Sequence, residues 1–162
     1  MPVNRKLSIT VTFSCTRNGE NDFGGSATYT QTGSTPDLGN IVDANGKIHL
    51  DRTPAFDSSV YNENVDIEFT LATPCSVSPD NTTIPVAWAT QYGAGMTIQV
   101  PAGGNQNEMS VGVDPNNPNL ITILDKDDDS NVYNYKPALE LIRPNLPNYY
   151  ISLDPQIVNR PH

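Results

Sequence analysis

The run "KLSITVTFSC" (residues 6–15) alternates without a break: Leu7, Ile9, Val11, Phe13 and Cys15 fall on one side of an extended chain, Ser8, Thr10, Thr12 and Ser14 on the other. A period of two marks a strand with one face in a core and the other in water. The pattern recurs downstream. "GSATYTQ" (25–31) sets Ala27 and Tyr29 against Ser26, Thr28 and Thr30, and "NVDIEFTLA" (64–72) sets Val65, Ile67, Phe69 and Leu71 against Asp66, Glu68 and Thr70. In "NIVDANGKIHL" (40–50) an Asn45-Gly46 pair separates two short apolar runs, a strong tight-turn signal. Short strands bounded by Pro and Gly follow in "TIPVAWA" (83–89), "MTIQVPA" (96–102) and "MSVGVDP" (109–115), then "NLITILD" (119–125), "NVYNYKPALELI" (131–142) and "NYYISLDPQIV" (148–158).

Nine or ten short strands, with a turn signal every 8–15 residues, predict an all-β fold. The expected architecture is an antiparallel two-sheet sandwich, immunoglobulin-like with Greek-key connections, in one domain spanning residues 1–162. The cysteine–tryptophan–cysteine order of immunoglobulin domains is missing, since Trp88 follows both Cys15 and Cys75. Only "PALELIRP" (137–144) has a composition suited to a helical turn, and the residues before it fit a strand better. Trp88 itself reads as core.

Composition narrows the function classes. A chain of 162 residues with 36% hydrophobic residues buries a core without needing metals or disulfides. Two cysteines make no disulfide framework, and they are expected as free thiols. Nine basic against 18 acidic residues leave a net charge of −9, which repels nucleic-acid phosphates and anionic lipid surfaces. No secretory signal follows the N-terminal basic residues, and no run is long enough to span a membrane, so a cytoplasmic location is expected. The "NTT" at 81–83 matches a glycosylation sequon, a tripeptide that arises often by chance.

The densest charge cluster is "LDKDDDSNVYNY" (124–135). Asp125, Asp127, Asp129 and Asn131 have the 1-3-5-7 spacing of an oxygen-ligand calcium loop. The rest of that motif fails, because Ser130 stands where a glycine is needed and Lys136 where a bidentate glutamate is needed, and both flanks read as strands. Two readings remain: a solvated hairpin tip at 126–130, or a looser calcium site in a β-loop. Aspartates about 6–8 Å apart in water repel by only about 0.5–0.7 kcal/mol per pair, so a hairpin tip tolerates them without a cation.

Catalytic chemistry finds little to work with. Of the two histidines, His49 and His162, only His49 has acids nearby, Asp43 and Asp51, and a Ser or Cys nucleophile would need it as base. In "KIHLDR" its neighbours Ile48 and Leu50 point the other way, which places His49 on the outer face. "GAG" (93–95) and "AGGN" (102–105) lack the following helix of a phosphate cradle and read as turns. Tyr133 and Tyr135 share a strand face, and Tyr149 and Tyr150 lie on opposite faces of the next strand. Exposed, these four tyrosines would form a platform for a sugar or peptide; buried, they are core residues with a hydroxyl at the rim.

The ending "NVYNYKPALELI…YYISLDPQIVNRP", with its tyrosine strand, Asp154-Pro155 and Asn159, resembles the ending of small bacterial β-sandwich proteins of the DP-EP type. It is also similar to the ending of inclusion-body proteins of the PixA/AidA group. The similarity covers about 30 of 162 residues and carries no catalytic or binding residue. It implies a cytoplasmic, non-enzymatic sandwich that associates with itself. The leading functional expectation is therefore a homo-oligomer that accumulates as a structural or inclusion component. The alternative is a carbohydrate- or peptide-binding module assisted by calcium, and the third is a hydrolase using His49.

Overall fold

The computed structural model describes residues 1–90 and 95–161. Part of "GAG", residues 93–94, and His162 lie outside the described residues. The strands are β1 (Val3–Gly19), β2 (Asp22–Thr35), β3 (Ile48–His49), β4 (Tyr61–Leu71), β5 (Cys75–Ser78), β6 (Thr82–Ile84) and β7 (Val86–Trp88). They continue with β8 (Met96–Gln99), β9 (Met109–Val113), β10 (Leu120–Asp125), β11 (Val132–Leu141), β12 (Tyr149–Ser152) and β13 (Gln156–Val158). Among the described residues the one helical element is a single 3-10 turn, Leu50–Arg52. No helix among them is long and apolar enough to cross a membrane. The "PALELIRP" stretch is strand through Leu141.

Each of the two sheets is built around one long strand. In the first, β1 is flanked by β2 on one side and by β4 and then β5 in series on the other, with β10, β9 and β6 beyond. In the second, β11 lies between β12 and β13 in series and β7 and β8 in series, with β3 beside β13. The serial breaks fall at 72–74 and 153–155, where Pro74 and Pro155 cannot continue a ladder. Alternation runs through such breaks unchanged, which is why thirteen strands stand among the described residues where nine or ten are expected.

The sheets are mixed, which corrects the antiparallel expectation. β1 runs parallel to β4 and to β5, and β13 runs parallel to β3. A parallel neighbour requires a long crossover. Here residues 36–60 supply it, passing through β3 in the other sheet before β4 returns beside β1. Alternation shows which side chains face inward but says nothing about the direction of the neighbouring strand.

The inward faces meet as expected. Leu7, Ile9, Val11, Phe13 and Cys15 from β1 are buried with Val65, Ile67, Phe69 and Leu71 from β4. Tyr135 of β11 bridges the sheets, its ring centroid 5.2 Å from Phe69 and 6.3 Å from Tyr29. Its hydroxyl donates to the Gly46 carbonyl in the tight turn before β3. Gly46 has φ +92°, and a Cβ there would sit 2.7 Å from the Tyr29 ring, so the Asn45-Gly46 pair is required both by backbone conformation and by close packing. Trp88 is buried as expected and donates its indole N–H to the Asn119 carbonyl at 2.7 Å. Cys15 and Cys75 are free and buried, and burial pushes the Cys15 thiol up to about 11.

Phe69 stands where the two sheets touch, fully buried. Phe69→Ala is expected to lose about 3–5 kcal/mol of stability through lost apolar transfer and the cavity left behind, read from urea unfolding midpoints at constant m-value.

Candidate functional site

The acidic loop between β10 and β11 closes one end of the sandwich. Asp125 and Asp127 are both 0% exposed, so neither belongs to a solvated hairpin tip. Asp125 continues the inward alternation of Ile121 and Ile123 along β10. The chain then turns at Asp127, whose φ of +50° is in the left-handed region that Asp tolerates better than most side chains. Asp125 Oδ1 accepts the Asp127 amide at 2.8 Å, which holds that turn.

The cations come from the two ends of the chain. Arg5 sits at an inward position of β1, two residues before Leu7, and is itself 0% exposed. Its Nη2 donates to Asp127 Oδ2 at 2.8 Å and also to the Glu63 carbonyl. Arg160 donates its Nε to the same Oδ2 and its backbone N–H to Oδ1, each at 2.8 Å. Both guanidinium groups lie over the ring of Phe56, at 4.5 Å for Arg5 and 5.4 Å for Arg160. Burial lowers the Arg5 pKa, and the hydrogen bond and charge of Asp127 oppose that loss. Two arginines thus share the one carboxylate of Asp127.

The four expected ligands bond to different protein partners. Asp127 faces Arg5 and Arg160. Asp129 accepts from the Tyr133 hydroxyl, the Asn131 amide at 3.1 Å and the Asn159 side chain at 3.2 Å. Asn131 turns its own amide toward the Gly103 carbonyl. Among the described residues, no three His, Cys, Asp or Glu side chains are grouped to hold a metal ion.

Sequence reasoning missed Glu108, which precedes β9 and is 0% exposed. Its Oε1 accepts from the Asp128 amide at 3.0 Å and from the Asn159 side chain at 3.1 Å. Its Oε2 and Asp125 Oδ2 are buried without a hydrogen-bond donor. The two carboxyl groups interact with each other. Two such groups packed out of water resist simultaneous ionisation. Burial first, then the neighbouring Asp128, pushes Glu108 up to about 7. Burial also raises Asp125, with the charges of Asp127 and Glu108 adding to it and the Asp127 amide opposing. Asp129 goes the other way: burial opposes, but hydrogen bonds from Tyr133, Asn131 and Asn159 hold it below the usual range.

The tyrosine platform does not exist as expected. Tyr133 and Tyr135 are both 0% exposed, because the face they share is the inner face of β11. The Tyr133 hydroxyl serves the acidic cluster by donating to Asp129 and accepting the Asn105 amide at 3.0 Å. Tyr149 is half-buried, edge-on to Phe23 with centroids 5.3 Å apart. Only Tyr150 is substantially exposed, at 41%.

His49 is buried, not on the outer face. β3 is two residues long and turns at once into the 3-10 segment, so strict alternation does not apply to Ile48, His49 and Leu50. Its Nε2 lies 3.1 Å from Asp43 Oδ2 and its Nδ1 3.5 Å from Asp51 Oδ1. A carboxylate thus flanks each ring nitrogen of His49.

A cleft of about 700 Å³ lies at the opposite end, where the β1–β2 hairpin and β6 face the loop between β11 and β12. No family model matches the chain, and a search of curated proteins finds no significant match.

Two outcomes follow for the acidic end. Asp127→Ala leaves the buried Arg5 uncompensated and is expected to cost about 3–5 kcal/mol, whereas Asp128→Ala at the exposed neighbouring position stays within about 0.5 kcal/mol. Glu108 and Asp125 hold protons in the folded protein that the unfolded chain releases at ordinary carboxyl pKa values, so the folded state binds more protons. Stability therefore falls as pH rises from the ordinary carboxyl range toward about 7 as Glu108 titrates, and the raised Asp125 adds to the fall. The lowered Asp129 acts below the ordinary carboxyl range and leaves that window alone. Thermal melts across this window should show the midpoint dropping as pH rises, with a flatter profile in Glu108→Gln.

Proposed function

We propose that the protein is a non-enzymatic β-sandwich that assembles with further copies of itself through an open sheet edge. The observation that carries this reading is the outer edge of β2. Between Phe23 and Thr35 that strand contains no charged residue and no proline. Exposed edges are ordinarily protected by just those residues, because an unpaired row of N–H and C=O groups templates another strand.

The edge is covered along only part of its length. The Tyr29 amide turns away from β1 and donates to the Ala44 carbonyl at 2.9 Å. Further along, Gln31 bonds the Gly39 carbonyl and the Ile41 amide through its side chain, so the following loop lies against that part of the strand. Toward the hairpin tip, Gly25 and Ala27 have the same parity as Tyr29. Among the described residues no backbone hydrogen bond reaches their outer side.

The immunoglobulin-like, Greek-key description belongs to the same proposal. It is supported by the way the chain changes sheets between β6 and β7, between β8 and β9, and between β10 and β11. A cytoplasmic location is supported by two buried free cysteines, which suit a reducing compartment. The C-terminal resemblance to inclusion-body proteins points the same way.

Light scattering across a wide concentration range tests this. The expected result is a reversible rise in mass with concentration. Ser26→Lys, which places a charge at an exposed position on the open part of the edge, should weaken association by about tenfold or more, equivalent to about 1.4 kcal/mol. A protein that stays monomeric throughout, or a lysine variant that associates as the parent does, would overturn the proposal.

A further inference from the structure

The cleft at the hairpin end combines an apolar lining with a guanidinium that no carboxylate neutralises. Phe23 is its most buried side, 5% exposed, with Ile84 and Pro85 on one wall and Ile142, Pro144 and Leu146 on the other. Ile142 at 40% and Leu146 at 52% are among the few large apolar side chains left exposed. They lie in one short loop and line the same cleft. An apolar concavity of this size falls in the range of about 300–1,000 Å³ typical of small-ligand sites.

Arg143 supplies the polar contact. It lies over the rings of Phe23, at 5.4 Å, and Tyr149, at 5.9 Å, which fixes the plane of its guanidinium. Its hydrogen bonds go to neutral acceptors, Asn21 Oδ1 at 3.2 Å and the Pro147 carbonyl at 2.7 Å, and its Nε has no partner. Arg17, 5.5 Å from the Phe23 ring centroid, is by contrast paired with Asp80 at 2.9 Å. Glu20 is the one acid lining the cleft, in the exposed turn between β1 and β2. In a chain with 18 acids and 9 bases, a half-buried arginine bonded only to neutral groups keeps its capacity to pair with an anion. Its planar fork suits a carboxylate.

We propose that this cleft binds a small amphipathic carboxylate, with its anionic head at Arg143 and its hydrocarbon body against Phe23, Ile84, Ile142 and Leu146. The Thr82 and Thr83 side chains beside the cleft add hydroxyls for a second polar contact. This proposal does not rest on self-association: it uses the Phe23 side chain and the loop after β11, not the outer backbone edge of β2.

Titration calorimetry with decanoate below its micellar concentration tests the assignment, with decanol as the probe that keeps the tail and lacks the charge. Saturable one-to-one binding of decanoate is expected, with decanol at least tenfold weaker. Arg143→Met retains the apolar stem and should weaken decanoate about tenfold while leaving decanol unchanged. Leu146→Glu puts a charge of the same sign as the ligand at an exposed position and should abolish decanoate binding without disturbing the fold. Thermal melts confirm that both variants are folded. Absence of saturable binding, equal affinity for decanoate and decanol, or affinity unchanged in both variants would overturn the proposal.

Discussion

A carboxylate buried without water must find a cation, and Asp127 finds two, Arg5 from the first strand and Arg160 from the last segment. That requirement brings together the start of the chain, the β10–β11 loop and the end of the chain. It also sets the position of Phe56, which lies under both guanidinium groups, and of Glu63, whose carbonyl takes a further Arg5 hydrogen bond. The net worth of such a cluster is small against the cost of desolvating its members, whereas the cost of removing one partner is large. It therefore acts less as a source of stability than as a condition on how the end of the sandwich closes.

The same end holds a second polar problem with a different solution. Glu108 and Asp125 have no hydrogen bond from an arginine, and their burial shows instead as a raised affinity for protons. Asn159 ties Glu108 to the acidic loop, donating to both Glu108 and Asp129. The opposite end is open and apolar, with an arginine lacking a carboxylate partner. One sandwich thus has a closed acidic end and an accessible cleft end, joined by an aromatic core in which Tyr135 touches residues of both sheets.

Much of this arrangement was present in the alternation, had it been carried through the polar residues. Arg5 has the parity of Leu7 and Ile9, Asp125 that of Ile121 and Ile123, and Asn159 that of Ile157. A charged or amide residue in an inward register of a strand is a demand for a buried partner, and three such residues mark one end of the sandwich. The burial of Asp125 and Asp127 was not legible in the loop itself, because repulsion reckoned in water leaves out the distant arginines. Tyr133 and Tyr135 were likewise legible as core, since they precede Leu139 and Leu141 in the same register. Glu108 carried no such mark, because it lies in a loop outside any alternating run.

The order of residues was sufficient for what depends on near neighbours. A period of two, Gly46 in a tight turn and Pro155 at a strand end specify extended segments, their inward faces and their breaks, since each follows from the conformation of a few adjacent residues. Strand direction, the pairing of β1 with β4, the meeting of Arg5 with Asp127 and the opening of the cleft required the tertiary fold. These rest on contacts between residues far apart in the chain, and a local pattern contains no information about which distant segment will satisfy it.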